Sequence, residues 1–309
     1  MKIIAKTEES SIATVYIGLT NEQSEVEFVE SLQPPIPLIE KWVLIVSTMK
    51  GCPVGCKFCD AGSYYEGKLS KEEIIEQIDY LIRTRFHDGN VPVKKFKIQF
   101  ARMGDPAFNM AVTDVLRELP NLYNIPGFLP SISTIAPKGT DDFFSELLSV
   151  KRGLYTGSFQ LQFSIHSTNL EQRDWLIPVK KWSFADIASY SEEFYSKGDK
   201  KISLNFALSE SSIIETDVLK SYFSPDIFLI KVTPVNPTIV SEMNKIETLI
   251  KPDNGNIEII DQLRNAGYQV IVSIGEWEEN RIGSNCGQHL LNYRNRKTNS
   301  NQRYSYKLI

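Results

Sequence analysis

The chain places three cysteines in one short stretch, Gly51-Cys52-Pro53-Val54-Gly55-Cys56-Lys57-Phe58-Cys59-Asp60-Ala61-Gly62. Three residues separate the first two cysteines, two residues separate the second and third, and an aromatic residue precedes the third. An apolar run at residues 43–48 comes just before this stretch and predicts a β-strand. The cysteines therefore lie on a loop at the carboxyl end of a strand, which is where parallel α/β folds carry their chemistry.

Thiolates at this spacing can wrap one iron–sulfur cluster and leave one of its irons without a protein ligand. Two other interpretations stay open from the residues alone. A structural zinc site would pair two Cys-x2-Cys units and close with four ligands, and buried cysteines can also be unligated. A disulfide framework is not indicated, because the fourth cysteine, Cys286, lies far downstream.

Strand and helix patterns alternate along the chain. Apolar or alternating segments predict strands at residues 43–48, 96–101, 128–135, 159–166, 202–208, 228–233 and 268–274. Helical patterns lie between them at residues 110–119, 141–150, 184–196, 215–223 and 256–266, the last closed by Gly267. The clearest helix starts at Ser70, where Glu73 completes a possible capping box. This alternation predicts an α/β fold whose parallel sheet curls into a complete or partial barrel of about six units.

Composition predicts a globular protein of ordinary type. The 309 residues are 42% apolar and 23% charged, which excludes disordered and coiled-coil classes. The formal net charge of −4 has the wrong sign for coating nucleic acid, so an RNA partner would need a local basic patch. Without a secretory leader or an apolar run of about 20 residues, we expect a cytoplasmic protein with no membrane partner.

We expect three parts along the chain. Residues 1–40 predict a short N-terminal β appendage, residues 41–290 the barrel, and residues 291–309 a basic C-terminal tail. The tail has five cations, three tyrosines and no acidic residue. It suits single-stranded RNA, although a solvated tail is an equal interpretation.

The Cys-x3-Cys-x2-Cys run resembles the signature of radical S-adenosylmethionine (SAM) enzymes. The resemblance implies a partial (β/α)6 barrel and a 4Fe-4S cluster on Cys52, Cys56 and Cys59. It also implies that S-adenosyl-L-methionine chelates the open iron, that reduction yields a 5′-deoxyadenosyl radical, and that a flavodoxin- or ferredoxin-type protein is the reductant. The protein would supply positioning and exclude water.

Later motifs resemble, in order, those of the RlmN and Cfr family, which methylates adenine C2 in rRNA and tRNA. The matching segments are residues 69–77, 103–109, 131–134, 163–169, 232–237 and 282–288. The resemblance implies that Gly104 and Asp105 hold the SAM ammonium. It also implies that Ser133, Ser164 and Asn236 contact SAM.

These residues have plain structural interpretations as well. Gly104-Asp105-Pro106 is a turn sequence, and Asn236 before Pro237 suits a turn. Of Ser164 and His166, which stand two residues apart at the end of a predicted strand, we expect only one to face the lumen. We expect Ser164 to do so, and His166 is as well explained as a satisfied residue at the strand end.

Cys286 stands in Ile282-Gly283-Ser284-Asn285-Cys286-Gly287-Gln288, which resembles the family's Ile-x-Ala-Ala-Cys-Gly-Gln motif. In that family this cysteine is methylated by one SAM, and its methyl carbon becomes a radical that adds to adenine. A thiol suits this role because its thiolate is a strong nucleophile. The resemblance thus implies an RNA methyltransferase that acts on rRNA or tRNA through a methylated Cys286.

The chain also departs from the family. Ile45 stands where the family has the cysteine that resolves the enzyme–RNA adduct, seven residues before the first cluster ligand. The family's RNA-binding extension is not expected in the residues that precede the first barrel strand. The run Glu276-Trp277-Glu278-Glu279 would repel phosphates. Two alternatives therefore stay open: a radical SAM enzyme acting on a small molecule or peptide, and a non-catalytic metal-binding module.

Overall fold

The computed structural model describes residues 1–7, 12–250, 257–273, 288–296 and 306–308. Its strands are β1 (Lys2–Thr7), β2 (Ala13–Leu19), β3 (Glu25–Ser31), β4 (Trp42–Val46), β5 (Met49–Gly51), β6 (Tyr65–Lys68), β7 (Phe96–Phe100), β8 (Phe128–Thr134), β9 (Gln160–Ser164), β10 (Ile202–Leu208), β11 (Phe228–Pro234), β12 (Val270–Val272) and β13 (Tyr306–Leu308). Its α-helices are α1 (Lys71–Arg85), α2 (Ala111–Leu122), α3 (Asp141–Leu154), α4 (Leu170–Leu176), α5 (Phe184–Phe194), α6 (Thr216–Tyr222), α7 (Ile239–Met243), α8 (Glu258–Asn265) and α9 (Gln288–Arg296).

One large sheet organises the molecule. Its strand order is β12-β11-β10-β9-β8-β7-β4-β3-β2-β1-β13, and the seven strands from β4 to β12 in that order are parallel. β5 and β6 form a separate two-stranded hairpin. Within the described residues β12 and β13 are the free edges, so the sheet is open there. The predicted α/β fold with a central parallel sheet is confirmed.

The predicted starting point of α1 is confirmed in detail. The Ser70 hydroxyl accepts a hydrogen bond from the backbone N–H of Glu73 at 3.2 Å, and the Ser70 N–H donates to the Glu73 carboxylate at 2.9 Å. This reciprocal pair satisfies two amides at a helix start that have no partner within the helix. Thr20, which follows β2, donates to the same carboxylate at 2.9 Å, so the cap also fixes α1 against the N-terminal strands.

The N-terminal strands β1–β3 continue the large sheet, because β3 pairs antiparallel with β4. Glu27 on β3 is fully buried and forms an ion pair with the buried Arg102, which follows β7. Its other carboxylate oxygen accepts from the backbone N–H of Leu290 in α9 at 2.6 Å. One buried carboxylate therefore joins the N-terminal strands, the parallel sheet and helix α9.

The parallel sheet has one apolar face and one polar face. Phe96, Ile98 and Phe100 of β7 are buried in the main core, into which α1, α2, α3 and α5 also pack. The intervening side chains point to the opposite face, because side chains alternate along a strand. Strand register extends this polar surface, which we call the inner face, across β7–β11. Its polar residues include Lys97, Gln99, Ser131, Ser133, Gln162, Ser164, Ser203, Asn205 and Lys231.

In the part of the chain that is described, no helix is long and apolar enough to cross a membrane.

Candidate functional site

The cysteine loop, residues 52–59, lies between β5 and a short 3-10 helix at Asp60–Ser63. All three cysteines are partly buried. The Cys52 N–H donates to the Tyr64 carbonyl at 3.0 Å, and the Lys57 N–H donates to the Leu176 carbonyl at 3.0 Å. The loop backbone is therefore fixed both to the hairpin and to α4.

Apolar side chains surround the thiols on two sides. Cys52 and Cys56 pack against the cluster of Val54, Ile135, Leu176, Ile177, Val235 and Ile246. Cys52 and Cys59 pack against a second cluster of Ala5, Ile17, Ala61, Met103 and Leu290. An apolar shell controls solvent access and dielectric at a metal centre. The three thiols in this frame fit an iron–sulfur cluster.

A mononuclear zinc site requires a different arrangement, with its ligands converging on one point. No group of three His, Cys, Asp or Glu side chains in the described residues is placed to hold a single metal ion. Cysteines that bind a 4Fe-4S cluster each take a different iron, so their sulfur atoms need not converge. The observed placement is compatible with a cluster.

Helix α7 is fastened onto the cysteine loop. Asp60, directly after Cys59, accepts hydrogen bonds from the backbone N–H groups of Ile239 at 3.2 Å and Val240 at 2.9 Å. The Thr238 hydroxyl donates to the Phe58 carbonyl at 3.0 Å, and the Asn244 amide donates to the Lys57 carbonyl at 3.0 Å. These bonds hold the segment after β11, which includes Asn236, against the cysteines.

Gly104 and Asp105 form a turn at the carboxyl end of β7. Gly104 has φ +88°, and an added Cβ would lie 2.5 Å from the Met49 side chain, so only glycine fits. Asp105 is buried, and its Oδ1 accepts from the Ala107 N–H at 2.9 Å. Burial raises the pKa of Asp105 to about 6, against the opposing effect of its hydrogen bonds. The Asp105 carboxylate thus serves as a structural brace in this structure.

Ser133 and Ser164 both lie on the inner face near the carboxyl ends of their strands. The Ser133 hydroxyl is buried and has no hydrogen-bond partner among the described residues. Ser164 is partly buried and pairs in register with Asn205, whose Oδ1 is also buried without a partner in the part of the chain that is described. Buried polar atoms without a partner are rare and point to a ligand or water. This strip of the inner face therefore fits a polar ligand such as SAM.

Asn236 lies just beyond β11, and its side chain is partly buried. Its backbone carbonyl accepts from the Thr238 N–H at 2.8 Å and the Ser241 hydroxyl at 2.9 Å. The turn interpretation and the SAM-contact interpretation are compatible, because these bonds use the backbone and leave the side-chain amide available.

His166 lies beyond the end of β9, whereas the predicted strand extended to residue 166. β9 ends at Ser164, and His166 adopts a left-handed backbone with φ 62°. Its Nδ1 accepts from the Ala207 N–H at 3.0 Å, and its ring packs edge-on against Phe58 with centroids 4.9 Å apart. Burial lowers the pKa of His166 to about 3. His166 is thus a neutral structural link between β10 and the cysteine loop.

The sequence singled out Cys286, the acidic run before it and Ile45. Cys286 itself lies outside the described residues, as does the acidic run 276–279. The described chain resumes at Gln288 in α9, and Leu290 packs in the same apolar cluster as Cys52 and Cys59. Ile45 lies on β4, pairs in register with Gln99 and shares the inner face with it.

Sequence reasoning missed three lysines. Lys181 is buried, and its ammonium group donates hydrogen bonds to Asp174 and to the Ile177 carbonyl. It also lies close enough to Cys56 for the two groups to interact electrostatically. Lys97 and Lys231 lie on the inner face. A lysine within a strand of mostly apolar residues is the signal that could have revealed both.

Comparison with known proteins agrees with this geometry. No family model matches the chain. A probable dual-specificity RNA methyltransferase RlmN from Chlorobium phaeobacteroides is 28% identical over 266 residues, which cover 82% of this chain and 68% of that protein. The ribosomal RNA large subunit methyltransferase Cfr from Bacillus velezensis is 26% identical over 269 residues, covering 82% and 70%. Over most of its length this chain is therefore similar to the RlmN and Cfr methyltransferases.

A solved structure shows that the fold of this RlmN/Cfr-like chain has a precedent. The crystal structure of a radical SAM methyltransferase from Sphaerobacter thermophilus superposes with a TM-score of 0.69 and 17% sequence identity. The superposition covers 93% of this chain and 80% of that one. The N-terminal strands and the parallel sheet therefore belong to one recurring architecture.

Proposed function

We propose that the chain is a methyltransferase that binds a 4Fe-4S cluster and SAM and carries the transferred methyl group on Cys286, for RNA adenine or a related acceptor. The observation that carries the proposal is the cysteine loop in its apolar frame, together with buried inner-face oxygens that lack a partner within the described residues. The relatives' names support methyl transfer to RNA.

The described residues suggest separate roles. Cys52, Cys56 and Cys59 would each bind one iron, and the apolar clusters around them would exclude water. The hydroxyls of Ser133 and Ser164 and the amide of Asn236 would bind polar groups of SAM. Gly104 permits the tight turn beside them, and Asp105 holds that turn rigid through hydrogen bonds to β8 and the loop that follows.

When bound, the cluster supplies the electron that cleaves SAM, and SAM supplies the methyl group. Cys286 would take that methyl group as a thiolate by direct displacement at carbon, with S-adenosylhomocysteine as the leaving group. The remaining task of the protein is to keep the loop, α7 and α9 in contact, which the bonds of Asp60 and Glu27 accomplish.

A test of this proposal is peptide mass spectrometry after anaerobic cluster reconstitution and incubation with methyl-labelled SAM. We expect the label on Cys286, and none on that peptide in a Cys286→Ser variant. An unlabelled Cys286 in protein that still produces 5′-deoxyadenosine would overturn the proposal.

The acceptor requires its own measurement. Total rRNA and tRNA from a strain without adenine-C2 methylation, incubated with the enzyme and SAM, should gain 2-methyladenosine in a Cys286-dependent manner. The second candidate is hydrogen abstraction from a small molecule or peptide. Ile45 favours it, since a hydrocarbon side chain cannot resolve a thioether-linked RNA adduct. Such an activity would persist in Cys286→Ala.

Metal content tests the cluster directly. Cys52→Ala, Cys56→Ala and Cys59→Ala should each lose most of the iron and of the visible absorption after anaerobic reconstitution. Cys286→Ala is the matched control and should keep both. Stoichiometric zinc with no cluster in the unaltered protein would contradict the proposal and support a metal-binding module.

A further inference from the structure

Helix α9 presents a short row of residues to the cysteine site. Leu290, Tyr293 and Arg294 are three and four positions apart, so they lie on one face of the helix. Leu290 is fully buried in the apolar cluster against which Cys52 and Cys59 pack. Tyr293 packs against the same cluster, and α9 also contacts the 3-10 helix that follows the cysteine loop. Helix α9 therefore forms part of the wall beside two of the three cysteines.

Arg294 fixes this helix through a network of directed bonds. Its Nε donates to Glu25 at 2.8 Å, and its Nη1 and Nη2 donate to the two carboxylate oxygens of Glu66 at 2.9 and 3.0 Å. The centre of the guanidinium also lies 4.6 Å from the centroid of the Tyr64 ring. Single exposed ion pairs contribute little, but a bidentate arginine within a charge network is the arrangement that does contribute. One side chain thus joins α9 to β3 and to the hairpin of β5 and β6.

Tyr64 connects this attachment to the cysteine loop. Its backbone carbonyl accepts from the Cys52 N–H at 3.0 Å. The two segments touch closely here, since Gly51 has φ +77° and an added Cβ would lie 2.0 Å from the Tyr64 carbonyl oxygen. Tyr64 also packs against the apolar cluster that contains Leu290. A displacement of Arg294 would therefore reach Cys52 through a single intervening residue.

A second anchor lies on the same face of α9, one turn earlier. The Leu290 N–H donates to the buried Glu27 carboxylate at 2.6 Å. Glu25 and Glu27 stand two positions apart on β3 and so share one face of the strand. Two strand residues span about 6.6 Å, and the four helix positions from Leu290 to Arg294 span about 6 Å. The spacings agree, so α9 lies along β3, in the opposite direction, with both anchors engaged.

The charge of Arg294 is used within the chain. Arg294 belongs to the basic segment whose composition suits RNA, but its guanidinium faces the carboxylates of Glu25 and Glu66, and 27% of its side chain is exposed. Arg264 of α8 shows the ordinary surface case. It is 54% exposed, and its ion pair is with Asp261, three positions earlier on the same helix. Such a local pair joins no separate parts of the fold.

We propose that Arg294 is a positioning residue of the cluster site, which holds α9 against Cys52 and Cys59 and so shields these two ligands from water and oxidants. The proposal rests on the proposed function in treating the cysteines as cluster ligands. The apolar shell of a metal centre controls its solvent access, and the α9 side of this shell depends on Arg294. The effect does not extend to Cys56, which packs against the other apolar cluster, the one that contains Leu176.

The test measures protection of the thiols in the full chain. Reduced, metal-free protein is pulsed with iodoacetamide, and tryptic peptides are quantified by mass spectrometry. Cleavage after Lys57 separates Cys56 from Cys59, so Cys56 is the reference within each sample. We expect Arg294→Ala to raise the alkylation rate of Cys59 about fivefold relative to Cys56. Arg264→Ala is the matched control and should leave this ratio unchanged.

Exchange of the two charges separates a specific attachment from a general loss of packing. Arg294→Glu and Glu66→Arg should each raise the ratio of Cys59 to Cys56 alkylation. The double exchange should return the ratio toward the native value, because the ion pair is formed again with reversed signs. Melting temperatures verify that each variant folds, and Glu66→Gln, at a position that is 51% exposed, serves if Arg294→Ala does not.

The reconstituted protein provides a second readout. At equal initial iron content, the visible absorption of the cluster should bleach faster in air in Arg294→Ala than in the native protein. An unchanged ratio of Cys59 to Cys56 alkylation in Arg294→Ala, or a double exchange that recovers nothing, overturns the proposal. A native protein that takes up no iron would contradict the proposed function instead, because the alkylation ratio is measured without metal and still decides whether Arg294 holds α9 over Cys59.

Discussion

The Thr134 hydroxyl donates a 2.7 Å hydrogen bond to Oδ1 of Asp105 and so joins the carboxyl end of β8 to the turn after β7. The Ile135 N–H donates to the other carboxylate oxygen at 2.7 Å, and the Ala107 N–H also donates to Oδ1. Three internal donors thus converge on one buried carboxylate. The rigidity of the turn at Gly104, beside the cysteine loop, depends on that convergence.

Removal of this carboxylate should destabilise the protein. Asp105→Ala leaves two buried N–H groups and one hydroxyl without an acceptor, and each such group costs about 1–3 kcal/mol. We expect the free energy of unfolding to fall by about 2–4 kcal/mol in urea titrations. Asp114→Ala, at an exposed position of α2, is the control and should change it by less than about 0.5 kcal/mol. Equal stability of the two variants would show that Asp105 is not a brace.

Asp60 should affect cluster retention more than global stability. Asp60→Ala removes the acceptor for two amides at the start of α7, a loss that typically costs about 1 kcal/mol. Because α7 holds the cysteine loop, we expect less iron per chain after anaerobic reconstitution and gel filtration. Asp226→Ala, at an exposed site, should retain the native iron content. Native iron content in Asp60→Ala would mean that the loop keeps its shape without α7.

Much of this arrangement could be predicted from the sequence. The seven strands and the capping box at Ser70 follow from apolar periodicity and local capping chemistry, which act over a few residues. Helix α7 was not predicted, because its five residues start against Asp60, about 180 positions away in the chain.

The hydrogen bonds of Asp105 are a second feature that local sequence patterns could not predict. The motif placed it correctly at a strand end, but the motif could not reveal that Thr134 and Ile135 occupy its carboxylate. Hydrogen-bond partners about 30 positions apart depend on the pairing of two strands, and local patterns do not encode that.

Ile45 offers a gain-of-function test of the RNA interpretation. Ile45→Cys would restore a thiol on the inner face of β4, at the place where the resembling family has its resolving cysteine. If the enzyme forms a Cys286-linked RNA adduct, we expect less trapped adduct and more 2-methyladenosine per enzyme. Val43→Cys, two residues earlier on the same face, is the matched control. An equal yield from both variants would mean that another group resolves the adduct.

The opposite pKa shifts of His166 and Asp105 predict an unusual acid response. The folded-state pKa of His166 is about 3 against an ordinary 6.5, so the unfolded chain binds more protons between these values and stability falls as the pH drops from 6.5 to 3. Asp105 has a folded-state pKa of about 6 against 3.8, so the folded chain binds more protons there and stability rises as the pH drops from 6 to 3.8.

In the native protein these two effects partly cancel between pH 6 and 4. Asp105→Asn removes the opposing group and leaves the His166 effect alone. We therefore expect the unfolding free energy of Asp105→Asn to fall between pH 6 and 4 by about 3 kcal/mol more than that of the native protein, since a shift of about two pKa units corresponds to that energy. Urea titrations across this range measure the difference, with the exposed Asp114→Asn as control. Parallel pH profiles for the native protein and Asp105→Asn would show that Asp105 titrates normally, and its burial among three donors would then not raise its pKa.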